Sequence, residues 1–482
     1  MAHRPRRLEG RGRAMSENLL QIQPISEMPL VRRDAPVPLG PDAPRAALIS
    51  LGCAKNTVDS EIMLAALAGA GYRLVSDAED AQVAIVNTCG FIEDAKRESI
   101  DTILEVAQFK EAGDLETLVV AGCLAERYRG ELAQGLPEVD LFIGTREYDR
   151  LPELLGSGGG AREAFSDTLM DYGRRLPRIL AEPGPSAYLK VAEGCSRPCT
   201  FCVIPRFRGR FRSRPLDLVV EEARALTEAG VREVNLLAQE ITSYGVDLGL
   251  GFSLARLLAE LNEVDGLEWI RVLYNYPRGV TDELLDAYRD LPRVCEYIDM
   301  PLQHVATPVL SAMRRGIDEA GTRELVSRIK EKIPGCALRT TMLVGFPGET
   351  DADFERLLDF VKETRFARLG GFVFSPEDRS IAARLPDQVP AELARERMAR
   401  LLALQERIMA EEGEALVGGE TQVLVEGLTG EGLLRGRTRL QAPEVDGEVF
   451  LHETEAEPGE IITCEIIGTD GVDLVARGVT AG

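Results

Sequence analysis

AEGCSRPCTFCVIP (192–205) places three cysteines, Cys195, Cys199 and Cys202, within eight residues of a chain that has nine in all. The stretch leaves a strand-like run, YLKVAEG (188–194). Five more such runs follow: EVNLLAQE, WIRVLYNYP, YIDMPLQH, LRTTMLVGF and RLGGFVFS. Helical patterns such as DLVVEEARALTEAG and DADFERLLDFVKET lie between them. Six strands alternating with helices predict a parallel α/β barrel over about 180–415, open or incomplete because eight units would close it. Active sites on such barrels sit at the carboxyl ends of the strands. The three thiols follow the first strand, so they are expected at that end.

Three neighbouring thiols ask for a chemical reason. A structural zinc takes four protein ligands. The chain has only three histidines, His3, His304 and His452, none near Cys195 in sequence, though His304 could approach it in space. A disulfide would account for two cysteines and leave the third over. A 4Fe–4S cube is normally held by four thiolates. Three on one tight loop would hold three irons and leave the fourth open to a substrate or cofactor chelate.

Upstream, over about 45–165, three apolar runs each end in a cysteine: AALISLGC (46–53), QVAIVNTC (82–89) and TLVVAGC (117–123). Thirty-six residues separate Cys53 from Cys89, and thirty-four separate Cys89 from Cys123. Each interval is about one βαβ unit. Parallel strands put their carboxyl ends on one edge of the sheet, where open α/β sheets bind ligands. Cys53, Cys89 and Cys123 are therefore expected to converge there. The plainer alternative is three buried cysteines, since free cysteine is often buried. The helix after the first run, within VDSEIMLAALAGAGY (58–72), is expected to be capped by Asp59 or Ser60 and to end near Gly71.

Downstream, residues 416–482 change character. ETQVLVEGL, GLLRGRTRL, GEVFLHE, GEIITCEIIG and GVDLVARG are short runs with Gly-rich breaks. They predict a small five-stranded β-barrel. The segment holds thirteen Asp or Glu against four Arg, a local charge of −9.

Composition bounds the function. With 482 residues, 45% of them hydrophobic and 28% charged, the chain reads as an ordinary globular protein of about three domains. No apolar run approaches the ~20 residues of a membrane helix. The start, MAHRPRRLEGRGRA, is basic but has no apolar core, so it is not a secretory signal. Residues 1–44 read as a disordered leader, and Met15 is an alternative start. A cytosolic location follows, where clustered cysteines mean metal or catalysis. The formal net charge of −23 argues against strong direct nucleic-acid binding and suits a basic partner.

CxxxCxxC after the first strand of a parallel barrel resembles the radical S-adenosylmethionine (SAM) superfamily. With SLGCAKNTVDSE, VNTCGFIEDA, AGCLAERY, IDMPLQH and VGFPGET added, the chain from about 45 to 482 resembles the methylthiotransferases. These combine an N-terminal three-cysteine domain, a radical SAM barrel and a C-terminal TRAM β-domain. The resemblance implies two 4Fe–4S clusters, an auxiliary one on Cys53, Cys89 and Cys123 and the radical SAM one on Cys195, Cys199 and Cys202. It implies SAM as methyl donor and as radical source, and an electron-donor protein. One branch of the family modifies an adenosine of tRNA. The other, the RimO type, modifies the β-carbon of an aspartate in the twelfth protein of the small ribosomal subunit. GCAKN, NTCGFIE, FRGRFRSRP and QAPEVDGEVF are similar to the ribosomal branch. The acidic terminal segment would repel a tRNA backbone but could hold the Lys/Arg-rich ribosomal protein or its subunit. Removing it is expected to impair substrate docking and spare SAM cleavage. Outside enzymes, a two-cluster sensor or cluster carrier is the rival, although neither needs a six-unit barrel.

The resemblance also implies SAM contacts. Phe201 matches an aromatic that the superfamily often places against adenine, although loop packing would explain it equally. Gln239, Glu240, Asn275 and Gln303 lie at or near strand carboxyl ends. Gly345 opens the turn GFPGE, whose backbone could meet the adenosine or simply turn the chain. Arg206, Arg208, Arg210, Arg212 and Arg214 alternate and would share one face of an extended segment. Such a face could recognise carboxylates or be merely solvated. Cys295, Cys336 and Cys464 fit neither triad and read as structural. SPEDRSIAARLPDQVP (375–390) departs from the family, having Asp-Arg-Ser-Ile where a Gly-Thr turn is usual.

Overall fold

The computed structural model describes residue 40 and residues 42–479, apart from residues 114, 157–161, 169 and 250. Most of the expected leader, including Met15, lies outside the described residues. The chain forms two compact units, one up to Pro183 and one from Gly184.

The first unit is built on a six-stranded parallel sheet of β1 (Arg45–Ser50), β2 (Arg73–Leu74), β3 (Val83–Thr88), β4 (Thr117–Gly122), β5 (Leu141–Ile143) and β6 (Glu163–Ala164), in the order β2-β1-β3-β4-β5-β6. All six residues of β3 are buried, as expected of a parallel strand covered on both faces. The register aligns Ser50 with Asn87, and Thr88 with Gly122. The carboxyl ends of β1, β3 and β4 therefore lie level, with their cysteines one to three residues further on.

The helix after β1, α1 (Ala54–Gly69), starts directly behind Cys53, which occupies its N-cap. This corrects the expectation of a cap at Asp59 or Ser60. Both lie inside the helix, fully buried. Ser60 donates to Ser50 Oγ at 2.8 Å and accepts from Asn87 Nδ2 at 2.9 Å. Residues that usually stop a helix are here spent on a polar seam against the strand ends.

In the second unit, β7 (Ser186–Lys190) leads into β8 (Ala192–Glu193), which pairs antiparallel with β9 (Arg212–Ser213). Then β10 (Glu233–Leu237), β11 (Trp269–Val272), β12 (Val294–Asp299), β13 (Ala337–Val344) and β14 (Arg368–Val373) join β7 in one parallel sheet in sequence order. That order, with edges at β7 and β14, is the expected open six-stranded barrel. The chain ends in a closed barrel of β15 (Glu420–Leu428), β16 (Leu434–Thr438), β17 (Val449–His452), β18 (Ile461–Asp470) and β19 (Asp473–Gly478).

The terminal barrel is not a separable module, contrary to expectation. Ser186, Glu233 and Trp269 are neighbours in register, as are Asn235 and Arg271, and Asp299, Arg339 and Arg368. Residues 437–446 meet this face of the parallel sheet. Arg437 pairs with Glu233, which also holds Arg271 at 2.8 Å, and all three are essentially inaccessible. Tyr297 donates to Asp446 at 2.5 Å, and Arg339 bridges Asp446 and Asp299. Leu424 and Ala442 pack with Trp269, Tyr297 and Ala337. Burial works against the Glu233 carboxylate, but Arg437 and Arg271 outweigh it and hold its pKa at about 2.

Candidate functional site

The three dispersed cysteines come together in the first unit because their loops approach more closely than side chains normally allow. Gly52, at φ +96, would place a Cβ 2.7 Å from Cys89 Cβ. Gly90 would place one 2.8 Å from Leu124 Cα and 3.1 Å from the Cys123 carbonyl carbon. Gly122, at φ +97, would place one 2.4 Å from Asn87 Oδ1. Glycine alone fits these crowded positions, two of which, Gly52 and Gly122, are also left-handed.

Asn56 ties the loops. Its Nδ2 donates to Leu51 O at 2.8 Å and to Thr88 O at 3.1 Å. Its Oδ1 lies 3.8 Å from Cys123 Sγ. Asn87 Nδ2 donates to Asn56 O at 3.0 Å. Ser99 Oγ both accepts from Cys89 N and donates to Cys89 O. Cys123 is the first residue of α2 (Cys123–Gly135), and Cys53 caps α1. Two of the three thiols thus sit at helix N-termini.

The second triad is local. Gly194, at φ +80, would place a Cβ 2.3 Å from Arg210 O, so the loop doubles back tightly on itself. Cys195 N donates to Gly209 O at 3.2 Å and Cys202 N to Cys199 O at 3.3 Å. Arg197 N donates to Cys195 Sγ at 3.5 Å and Arg315 Nη1 to Cys199 Sγ at 3.4 Å. Burial pushes the Cys195 thiol up to about 11 and the Cys202 thiol up to about 12. A thiolate here therefore needs a cation against it, which iron would supply. Among the described residues, no three His, Cys, Asp or Glu side chains close on one ion-sized point. A cube does not require that, because each thiolate binds a different iron.

Phe201 lies in this loop, and the other candidates follow the carboxyl ends of β10 to β13. Phe201 packs with Val309, Met313 and Phe346. Gln239 Nε2 donates to Glu193 Oε1 at 2.6 Å. Glu240 pairs with Arg197 at 2.9 Å. Asn275 Nδ2 donates to Asp299 O at 3.1 Å and to Tyr288 Oη at 3.2 Å. Gln239 Oε1 and Asn275 Oδ1 are buried without a hydrogen-bond partner among the described residues. Orphaned acceptors of this kind are costly, and the donors of a polar ligand would satisfy them. Gln303 adopts φ +75 while its N donates to Thr341 O at 2.8 Å. Gly345, at φ +76, donates its N–H to Glu349 Oε2 at 2.9 Å, and a Cβ there would lie 2.5 Å from Ala394 Cβ.

One expectation about these residues needs revision. The alternating arginines do not share a face, because Ile204–Phe207 is a helical turn and Gly209 reverses the chain at φ +81. Arg208 and Arg214 turn inward to Glu193 and Glu222, whereas Arg206 and Arg210 are exposed. The unusual 375–390 loop docks on the cysteine loop itself, with Ala382 N donating to Thr200 O at 2.9 Å. The sequence reading also missed Lys190 and Glu193, a buried pair at 2.7 Å two residues before Cys195. A lysine inside an apolar strand was the available signal.

Three family models match the chain: uncharacterized protein family UPF0004 over 45–144, the radical SAM superfamily over 189–361 and the TRAM domain over 417–479. The ribosomal protein uS12 methylthiotransferase RimO of Geotalea uraniireducens is 48% identical over 90% of this chain and 98% of its own length. Its namesake from Anaeromyxobacter sp. strain K is also 48% identical, over 90% of this chain and 93% of its own. Among solved structures, the radical SAM methyltransferase TsrM of Kitasatospora setae aligns with TM-score 0.51 at 16% identity, over 68% of this chain and 73% of that one. The cobalamin-dependent radical enzyme OxsB aligns with TM-score 0.52 at 13% identity, over 76% of this chain and 56% of that one. These structural likenesses speak to the fold alone.

Proposed function

The chain belongs to the ribosomal protein uS12 methylthiotransferase family, and from that membership we propose how its residues divide the work. It is a radical SAM methylthiotransferase whose cofactors are SAM and two 4Fe–4S clusters. We assign the auxiliary cluster to Cys53, Cys89 and Cys123 and the SAM-cleaving cluster to Cys195, Cys199 and Cys202. When bound, these groups supply one-electron cleavage of SAM and a sulfur that becomes the transferred methylthio group.

The chain's own residues hold and shape the two sites. Gly52, Gly90 and Gly122 let three loops close together, and Asn56 locks them. Gly194 and the β8–β9 pair clamp the local loop, while Arg315 lies against Cys199. Gln239 Oε1 and Asn275 Oδ1 are the acceptors offered to SAM. Glu193 fixes the Gln239 amide group and thereby its free oxygen.

The substrate is the β-carbon of an aspartate in uS12, a basic protein of the small ribosomal subunit, and the work is done in the cytoplasm. Electrostatics in the terminal barrel support this reading. Its four arginines all face carboxylates, in the pairs Arg435–Glu448, Arg437–Glu426, Arg439–Glu296 and Arg477–Glu465. Glu453, Glu455 and Glu457 lie on the loop after β17, and all three are exposed. No basic side chain is left over there for a nucleic-acid backbone.

The observation that carries the proposal is the convergence of three thiol-bearing loops at one sheet edge in a chain that also has the local CxxxCxxC loop. Mass analysis of ribosomal proteins and tRNA from cells with and without the gene tests it. A methylthio group lost from uS12 is the expected result, and one lost from tRNA would overturn the substrate assignment.

A further inference from the structure

Three segments meet at Thr200, between Cys199 and Cys202. The loop's own continuation carries Arg206 and Arg210. The 312–315 segment is held by Thr200 N to Met313 O at 3.1 Å and Thr200 Oγ1 to Ala312 O at 2.8 Å, and it carries Arg314. The 375–390 loop, held by Ala382 N to Thr200 O, carries Arg379 and Arg384. All five arginines are exposed. None has an ion-pair partner among the described residues, whereas Arg197, Arg208 and Arg214 nearby are all paired. Glu377, which is buried, Asp378 and Asp387 share the last loop, so five arginines face three carboxylates across the three segments and the surplus is positive but not uniform. Ile381, 45% exposed, stands between Arg379 and Arg384.

In a chain of net charge −23, a collar of five exposed arginines, carried on three segments bonded to Thr200 and without ion-pair partners among the described residues, calls for an explanation. Solvation alone does not account for its position, since all three segments are anchored to one residue of the cysteine loop. We propose that this collar is the docking face for the electron donor, a small acidic redox protein. The step is a one-electron transfer: the donor is oxidised by one electron, the cluster is reduced by one, and no bond or proton changes place. A positive face attracts an acidic carrier that the rest of this chain repels, and it brings the carrier to the loop that bears the ligands. The proposal rests on assigning the SAM-cleaving cluster to Cys195, Cys199 and Cys202.

The test is a binding titration of the full chain, cluster-free and cluster-loaded, with an acidic low-potential flavoprotein at low and at physiological salt. Two double variants, Arg206→Glu with Arg210→Glu and Arg379→Glu with Arg384→Glu, are each expected to bind about tenfold more weakly at low salt, with a narrower gap at higher salt. SAM cleavage driven by dithionite should stay within about twofold of the wild type, because small reductants need no docking face. Binding by the cluster-free chain separates a failed docking face from a failed cluster assignment. Unchanged flavoprotein affinity in both variants overturns the proposal. So does a matching loss of dithionite-driven cleavage, which would place the arginines in the site itself. Loss of affinity for a ribosomal RNA fragment with flavoprotein affinity intact would make the collar a polyanion face and overturn it as well.

Discussion

The two cysteine triads solve one problem in opposite ways. Cys195, Cys199 and Cys202 are delivered by a single eight-residue loop, so chain connectivity does most of the gathering. Cys53, Cys89 and Cys123 span seventy residues and are gathered by strand register, three glycines and one asparagine. A local site depends on its loop, whereas a dispersed site depends on the fold of the whole unit.

The bluntest way to break the comparison is to remove each triad. Replacing Cys195, Cys199 and Cys202 with Ala should roughly halve bound iron and abolish SAM cleavage, since each triad can hold one cube. Replacing Cys53, Cys89 and Cys123 should halve iron too, yet leave some SAM cleavage. Iron analysis and 5′-deoxyadenosine yield check both, and full iron content in either triple variant would contradict the assignment.

Glycine substitutions sharpen the contrast. Gly52→Ala forces a Cβ into Cys89 at a left-handed φ, an overpacking cost of about 1–3 kcal/mol. The first unit should lose melting temperature and auxiliary iron while SAM cleavage persists. Gly194→Ala drives a Cβ into Arg210 O and should do the reverse, lowering SAM cleavage with auxiliary iron retained. If both variants lost both clusters, the sites would not be as independent as their construction implies.

The second unit has its own long-range dependence. Arg437→Met strips one cation from buried Glu233, and breaking a buried ion pair costs about 3–5 kcal/mol, tempered here because Arg271 stays. A pH signature accompanies the loss. The folded-state pKa of Glu233 is depressed to about 2, so its stabilisation is complete above the ordinary carboxylate range and fades as pH falls towards about 2. Without Arg437 the folded pKa rises and the acid transition should move to higher pH. Thermal melts between neutral pH and pH ~2 read this directly. Truncation at residue 416 should destabilise the whole second unit rather than spare SAM cleavage.

That dependence also marks where the sequence falls silent. Apolar runs ending in cysteine announced both triads, because strand and ligand adjoin in the chain. Six alternating runs announced the open barrel for the same local reason. The Glu233–Arg437 contact joins residues some two hundred positions apart and leaves no periodicity. The cap of α1 was misplaced because Asp59 and Ser60, local stop signals by type, serve a tertiary seam. The arginine face dissolved because one helical turn and Gly209 broke the two-residue period. In the first two cases a tertiary partner overrode a local rule, and in the third a second local element did.

The smallest expected effect lies on the surface of the terminal barrel. Glu453, Glu455 and Glu457 follow β17 on the terminal barrel, away from the buried seam formed by residues 437–446. Reversing all three to Lys should leave both clusters and the melting temperature nearly unchanged, because surface charges away from packed features alter stability by about 0.5 kcal/mol or less. Encounter with a basic partner should change instead. Opposite surface charge mainly raises the association rate, and salt screens it over ~8–10 Å at physiological strength. Docking of uS12 on the full-length triple variant should therefore weaken severalfold at low salt and much less at high salt, with the association rate carrying the difference. Kinetics measured against uS12 and against tRNA at two salt concentrations separate the readings. Weaker uS12 association with unchanged SAM cleavage would confine the effect to docking. A gain in tRNA affinity without loss of uS12 binding would mean that these carboxylates repel nucleic acid rather than recruit the ribosomal protein.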